Sequence, residues 1–325
     1  MNVDKEAYQR FCEKNLAPIF SQPWWMDAIC GEDAWDVWLC RHGDEIVAAM
    51  PYYMEDRAGL RYITKAPLTQ NNGLIFSHGA NSTPLSRQKA EEKIVDEACA
   101  FIEGLGVDVY EQQYHHSFSN WSPFHWNGYE AIPRYTYVID DTSDINAVEA
   151  ALSSGHRRDI RKGGRNGSLR KGLDPETFYA EHEKIFAKQG LPCPFSKELW
   201  LRLHAAIVGH GAGEAVYMET PDGDIASLAF LVWDDRAVYL LLGGSMPDFQ
   251  RLDTYSMLVW ESIKIAHEKG LAYDFEGSMI KRIARSFREY GAEPKLYFRI
   301  RKVFNPEVVL AEAKQKIARL GDDAV

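Results

Sequence analysis

Paired cysteines are missing from this 325-residue chain: its five, Cys12, Cys30, Cys40, Cys99 and Cys193, are scattered and odd in number. No CxxC pair occurs, which argues against a zinc ribbon and against a disulfide framework, and no metal is expected. His115-His116 and His125 have no carboxylate at ligand spacing beside them. Long apolar runs are missing too. The N-terminus (MNVDKEAYQRF) has no signal-peptide core, and no run of about 18 apolar residues follows, so a cytoplasmic protein without a membrane span is expected. Basic excess is absent: the net charge is −10, which speaks against a protein that wraps DNA along its whole surface. Low-complexity tracts are absent as well, and with 46% hydrophobic residues the chain has enough apolar side chain for two cores.

The second half of the chain reads as a meander. EAVYM (214–218), IASLAFLVW (225–233) and AVYLLL (237–242) alternate with the turn signals Pro221-Asp222-Gly223-Asp224 and Asp234-Asp235. A helix over 254–269 follows, with Tyr255, Leu258, Val259, Ser262, Ile263 and Ala266 on one face and Gly270 at its end. A short strand (271–275), a helix (279–290) and a strand (296–303) complete the series. The first half repeats this order: strands at 34–40 and 46–54, a helix at about 86–105, and strands at 107–110 and 135–139. IVAAMPYYM and IASLAFLVW lie 179 positions apart, each after a Gly-Asp turn. This reads as a degenerate duplication. The polar stretch DDTSD (140–144) marks the boundary, with Thr142, Ser143 or Asp144 available as a helix cap. The expected division is 1–140, 141–305 and a terminal helix over 306–325.

Positive charge is segregated. Residues 156–171 hold seven Lys/Arg against one Asp, and residues 279–302 hold eight against two Glu. Each segment is therefore +6, and the remainder of the chain carries −22 against the total of −10. Arg158, Arg161, Lys162 and Arg165 recur at helical spacing and form one stripe. Gly163 and Gly164 let the backbone approach something closely. Lys281, Arg285 and Arg288 share one helical face, opposite Ile283, Phe287 and Tyr290. Two such stripes in an acidic chain point to a bound anion: a nucleoside diphosphate, the phosphates of coenzyme A, or the acceptor end of a tRNA.

Three runs carry a resemblance. They are Arg157-Arg158-Asp159-Ile160-Arg161-Lys162 with Gly167, Tyr239 to Ser245 (YLLLGGS), and Asp274-Phe275-Glu276-Gly277 followed by Phe287-Arg288-Glu289-Tyr290-Gly291-Ala292. Together they resemble the FemAB-like proteins of the GNAT superfamily, over about residues 150–303. The resemblance implies an α+β fold of two tandem GNAT-like domains, each a mostly antiparallel sheet flanked by helices. It also implies aminoacyl transfer from a charged tRNA to the amine of a UDP-linked or lipid-linked muropeptide in bacterial cell-wall synthesis. The wider group uses acyl-coenzyme A, and neither donor would be a permanently bound cofactor. The first half would then bind the acceptor and the second the donor. Where the family has lysine after the phenylalanine, this chain has Arg288, which can stabilise an oxyanion but cannot shuttle a proton. Asp253 and Tyr255 stand where a coenzyme A pyrophosphate loop has glycines, which favours the tRNA donor.

The candidate catalytic residues are thus Arg288, Asp274 and Glu276. Donor and phosphate candidates are Arg158, Arg161, Lys162, Lys281, Arg285, Gly243, Gly244 and Ser245. The polar, loop-like run KAPLTQNNG with the preceding tyrosines suggests an acceptor pocket of Tyr52, Tyr53, Lys65, Gln70 and Asn72. An acyl-coenzyme A N-acetyltransferase for a small amine and a non-catalytic anion binder remain as alternatives.

Overall fold

The computed structural model describes residues 3–78, 82–188 and 190–322. They form two compact units, one of residues 1–134 with 297–325 and one of residues 135–296.

In the first unit, α1 (Val3–Asn15) and α2 (Pro23–Cys30) precede the meander β1 (Trp35–His42), β2 (Glu45–Arg57) and β3 (Leu60–Thr64). A two-residue strand β4 (Ile75–Phe76) pairs with β2. Then come α3 (Pro84–Gly104), β5 (Val109–Gln113) and α4 (Ser122–Trp126). The β1–β2 and β2–β3 pairs are antiparallel, and β5 is parallel to β3. Ile63, Tyr110, Tyr114 and the buried side of α3 (Ile94, Val95, Ala98, Ile102) fill the core beneath the sheet.

The chain enters the second unit within β6 (Glu130–Ile139). It continues through α5 (Ile145–Ala151), α6 (Ser154–Asn166), β7 (Ser168–Lys171), α7 (Pro175–Ala187) and α8 (Lys197–Gly209). The meander β8 (Gly213–Glu219), β9 (Ile225–Trp233) and β10 (Ala237–Ser245) follows, then a 3-10 turn (Pro247–Leu252) and α9 (Thr254–Lys269). After β11 (Ala272–Asp274) and α10 (Lys281–Glu289), the chain returns to the first unit within β12 (Glu293–Val303) and ends in α11 (Pro306–Asp322).

Local chemistry sets these bounds. Asp144 caps α5 by accepting from the Asn146 and Ala147 N–H groups at 3.0 and 3.2 Å, and Ser153 caps α6 through His156 N. The α9 helix buries Leu258, Val259, Ser262, Ile263 and Ala266 and stops at Gly270, whose φ of 67° suits the left-handed end. The α10 helix begins at Lys281, two residues later than the apolar spacing predicted.

The duplication is visible in the ladders. β1-β2-β3 and β8-β9-β10 are both antiparallel meanders, and each is followed by a helix and a strand parallel to the third. IVAAMPYYM and IASLAFLVW supply the two middle strands. The closing strands are exchanged in sequence: β12 pairs antiparallel with β5, and β6 pairs antiparallel with β11.

Candidate active site

In the second unit β10 and β11 pair over only three positions, Ala237–Ala272, Val238–Tyr273 and Tyr239–Asp274. From Leu240 to Ser245 the ladder recorded for β10 is with β9 alone. The parallel pair parts after these three residues, and α9 packs on both strands.

Three helices frame this place. Gly163 of α6 lies against the first turn of α9, where a Cβ would come within 2.4 Å of the Asp253 carbonyl oxygen. Lys162 pairs with the Asp253 carboxylate at 2.7 Å and donates to Arg251 O at 2.6 Å, while Asn166 donates to Leu252 O at 3.0 Å. At its other end α6 meets α10: Ser153 N donates to Glu289 O at 2.9 Å, and His156 stands edge-on to Tyr290 at 4.6 Å. Tyr290 in turn donates to Ser256 O of α9 at 3.1 Å. Both cationic helices are thereby fixed to the first turns of α9. Arg158, Arg161 and Arg165 on α6 are exposed, as are Lys281, Arg285 and Arg288 on α10.

Two expectations about the basic residues change here. Lys162 is engaged by Asp253, so three arginines, not four cations, are presented by the α6 stripe. Arg285 lies 3.3 Å from Glu289 one turn on, an exposed pair of small energetic weight. The close partner of Gly163 and Gly164 is also α9 rather than a ligand.

The glycines of β10 are explained in part by the protein's own packing. At Gly243 a Cβ would lie 3.0 Å from the Tyr255 hydroxyl, and at Gly244 one would lie 2.9 Å from Ile185 Cδ1 of α7. Ser245 pairs with Ser227 across the ladder. Asp253 adopts left-handed backbone (φ 58°), the conformation a glycine usually supplies, and turns its carboxylate to Lys162. Its charge is therefore offset, whereas the Tyr255 ring does stand over β10.

Asp274 and Glu276 take different places. Asp274 ends β11 inside the protein, 5% exposed, accepting hydrogen bonds from Thr136 Oγ1 and from Glu276 N at 2.8 Å. Burial raises its carboxyl to about 6, against the two hydrogen bonds that favour the anion. A side chain so enclosed and so engaged is suited to holding the turn. The turn itself is strained: Glu276 has φ 63° and Gly277 φ 72°, with Gly277 packed on the Tyr135 carbonyl. Glu276 is half-buried.

Several polar groups at this place lie outside the expected set. Among the described residues the Ser227 and Thr254 hydroxyls are buried without a hydrogen-bond partner. Burial pushes the Tyr255 phenol up to about 12. A signal existed for Ser227, the one polar residue in IASLAFLVW.

In the first unit the corresponding opening is filled. The loop after β3 returns so that Asn72 N donates to Gln113 O on β5 at 2.7 Å, and Gly73 lies against the Tyr114 ring. Asn72 is buried, its Oδ1 accepting from Ser21 Oγ and Gly73 N. Nearby Thr69 accepts from Trp25 Nε1 at 3.0 Å. The expected acceptor pocket is not assembled. Tyr52 and Tyr53 are neighbours on one strand and face opposite sides, Tyr52 buried against Phe101 and Tyr53 in the cluster with Trp35. Lys65 and Gln70 are half-buried in the loop that plugs the gap.

The second unit's meander, helix and parting parallel strands have the form of a GNAT-type domain. Over residues 152–292 the chain matches the family described as acetyltransferase (GNAT) domain. Among solved structures, FemX superposes with a TM-score of 0.68 at 12% identity, over 96% of this chain and 98% of FemX. A C-terminal domain (DUF2156) assigned as a lysylphosphatidylglycerol synthetase, from Agrobacterium fabrum, gives 0.58 at 11% identity, covering 98% and 97%. A tandem GNAT protein from the clavulanic acid biosynthesis pathway gives 0.50 at 12% identity, covering 83% of each chain. At such identities the likeness is one of fold, the tandem GNAT architecture. No curated protein sequence matches the chain. Among the described residues no helix is long and apolar enough to cross a membrane.

Proposed function

We propose that this acyltransferase moves an aminoacyl group from a phosphate-bearing donor, held by the second unit, to an amine. The observation that carries the reading is the docking of two arginine-bearing helices, α6 and α10, on the first turns of α9 beside the open edge of β10. The arginines come from distant segments, yet the fold gathers both helices around one helix start, a place that favours anions. Guanidinium groups suit phosphates through bidentate contacts. The fold shared with FemX and with the lysylphosphatidylglycerol synthetase domain, whose name speaks of aminoacyl transfer, supports the same class.

In this reading the neutral amine attacks the ester carbonyl and a tetrahedral oxyanion forms. The carbon–oxygen bond to the donor breaks, and one amine proton is lost. Arg288, permanently charged, stabilises anionic oxygen. In the same reading Glu276 accepts the proton or orients the amine, and Asp274 with Thr136 holds its strained turn. The muropeptide acceptor is carried by the resemblance alone.

An acyl-coenzyme A donor is the second reading. The offset charge of Asp253 favours it, because the α9 start is not closed by a free carboxylate. Titration of the protein with aminoacylated tRNA and, separately, with acetyl-coenzyme A decides between them. Saturable, salt-sensitive tRNA binding that weakens in Arg158→Ala and Arg288→Ala is expected. Saturable acetyl-coenzyme A binding with no tRNA binding overturns the aminoacyl reading.

A further inference from the structure

At the outer edge of the first unit's sheet, three side chains converge whose chemistry the transfer reaction does not use. Cys40 and His42 lie two apart on β1 and so face the same side, toward α3. Glu97 projects from α3 to meet them. The Cys40 thiol donates to the Glu97 carboxylate at 3.3 Å, and one ligand atom from each of the three residues lies within 4.8 Å of the others. The partner strand carries an irregularity at this level, where the register shifts between Cys40 and Arg41. Such bulges re-aim strand side chains.

We propose that Cys40, His42 and Glu97 form a binding site for a divalent transition-metal ion of the zinc class, joining the edge strand β1 to α3. The donor set is a thiolate, an imidazole and a carboxylate, the three ligand types zinc takes. Around a tetrahedral zinc such atoms stand about 3.3–3.5 Å apart, from bond lengths of about 2.0–2.3 Å. The sulfur–carboxylate distance already has that value, and the exposed His42 and Glu97 have room to close the remaining gap of about 1.5 Å. Three protein ligands leave a fourth position for water. Cys40 is almost fully buried, so the soft ligand is fixed by the fold while the other two close over the ion. Metal binding displaces the thiol proton to solvent, leaving the ion on thiolate sulfur. The ion would link residues 57 positions apart and hold the edge strand to the helix that covers it. Lys93, 3.8 Å from Glu97, is the charge a bound cation would turn aside.

The test uses the full-length, untagged protein, dialysed against chelator and titrated with Co²⁺ and then Zn²⁺. One equivalent of Co²⁺ should give a near-ultraviolet thiolate-to-metal absorption band that Zn²⁺ abolishes. Zn²⁺ should raise the melting temperature. Cys40→Ser should lose both responses, and the exposed His42→Ala and Glu97→Gln, which leave the core intact, should weaken binding by roughly tenfold or more. No band, or a band and a thermal shift that persist in Cys40→Ser and His42→Ala, overturns the proposal, since the ion would then sit elsewhere or nowhere.

Discussion

The neighbouring glycines of α6 give opposite expectations for the same substitution. In an exposed helix interior, Gly→Ala stabilises by about 1 kcal/mol through helix propensity. At Gly164 the added methyl meets only Met257, with Sδ at 3.5 Å and Cε at 3.6 Å, ordinary contact with a flexible side chain. Gly164→Ala should therefore stabilise by up to about 1 kcal/mol. At Gly163 the methyl would stand 2.4 Å from the Asp253 carbonyl oxygen and 2.9 Å from Met257 Cβ. That carbonyl cannot swing aside, because it accepts from Ser256 N and Met257 N in the first turn of α9. The helices must part, at an overpacking cost of about 1–3 kcal/mol. Parting them also loosens the hydrogen bonds of Lys162 and Asn166 to the 251–252 carbonyls, each worth about 1 kcal/mol. Against the propensity gain, Gly163→Ala should destabilise by about 2–4 kcal/mol net. The two variants should differ by roughly 2–5 kcal/mol, read as urea midpoints at unchanged m-value. If Gly163→Ala proves as mild as Gly164→Ala, α6 is not seated backbone-close on α9, and the argument that its arginines are held at the α9 start fails.

Three other outcomes follow from the same geometry. Arg288→Ala removes an exposed side chain and should leave the melting temperature nearly unchanged while lowering kcat/KM by about 10²–10³, the scale of a lost oxyanion donor; intact turnover would remove Arg288 from the site. Asp274 has a folded pKa of about 6 against about 3.9 unfolded, so the native state holds its proton more tightly. Its stabilising effect is present below pH 4 and is lost as pH rises to 6. Asp274→Asn, which still accepts from Thr136 and Glu276 N, should flatten that part of the stability profile by on the order of 3 kcal/mol, whereas Asp274→Ala should destabilise at every pH; an unchanged profile in the Asn variant would show that Asp274 does not carry the shift. Gly277→Ala combines left-handed backbone with a Cβ 2.4 Å from the Tyr135 carbonyl oxygen, and should cost about 2–4 kcal/mol in a denaturation midpoint; a change below about 0.5 kcal/mol would mean the turn after β11 is loose.

The regular elements were legible because their signals are local. Ile225–Trp233 and Thr254–Lys269 form as the periodicity indicates, residue for residue. The duplication could be read because element order survives when identity does not. The pocket expected in the first half is not formed, for a physical reason. Polar residues in a loop do not reveal which way the loop turns, and KAPLTQNNG turns inward, where Asn72 meets Gln113, 41 positions on. The pairing of Tyr52 with Tyr53 should have failed on strand geometry alone, since adjacent strand residues cannot share a face. Gly163 and Gly164 announced a close approach but not its partner, because a missing Cβ is the same signal for a ligand and for a helix. The Cys40, His42 and Glu97 cluster was hidden by distance, its third member being on another element.

The two units show how one scaffold yields different chemistry. Both place a strand parallel to the third strand of a meander, and both part from it after two or three pairs. In the first, the chain's own loop supplies a backbone donor, Asn72 N, to the strand edge exposed by the parting, so the edge is satisfied internally. In the second, β10 beyond Tyr239 is laddered to β9, and among the described residues the buried hydroxyls of Ser227 and Thr254 find no partner. Unsatisfied polar groups beside an open strand edge are costly in a folded protein. Under the proposed function they are the groups that a donor held there would complete.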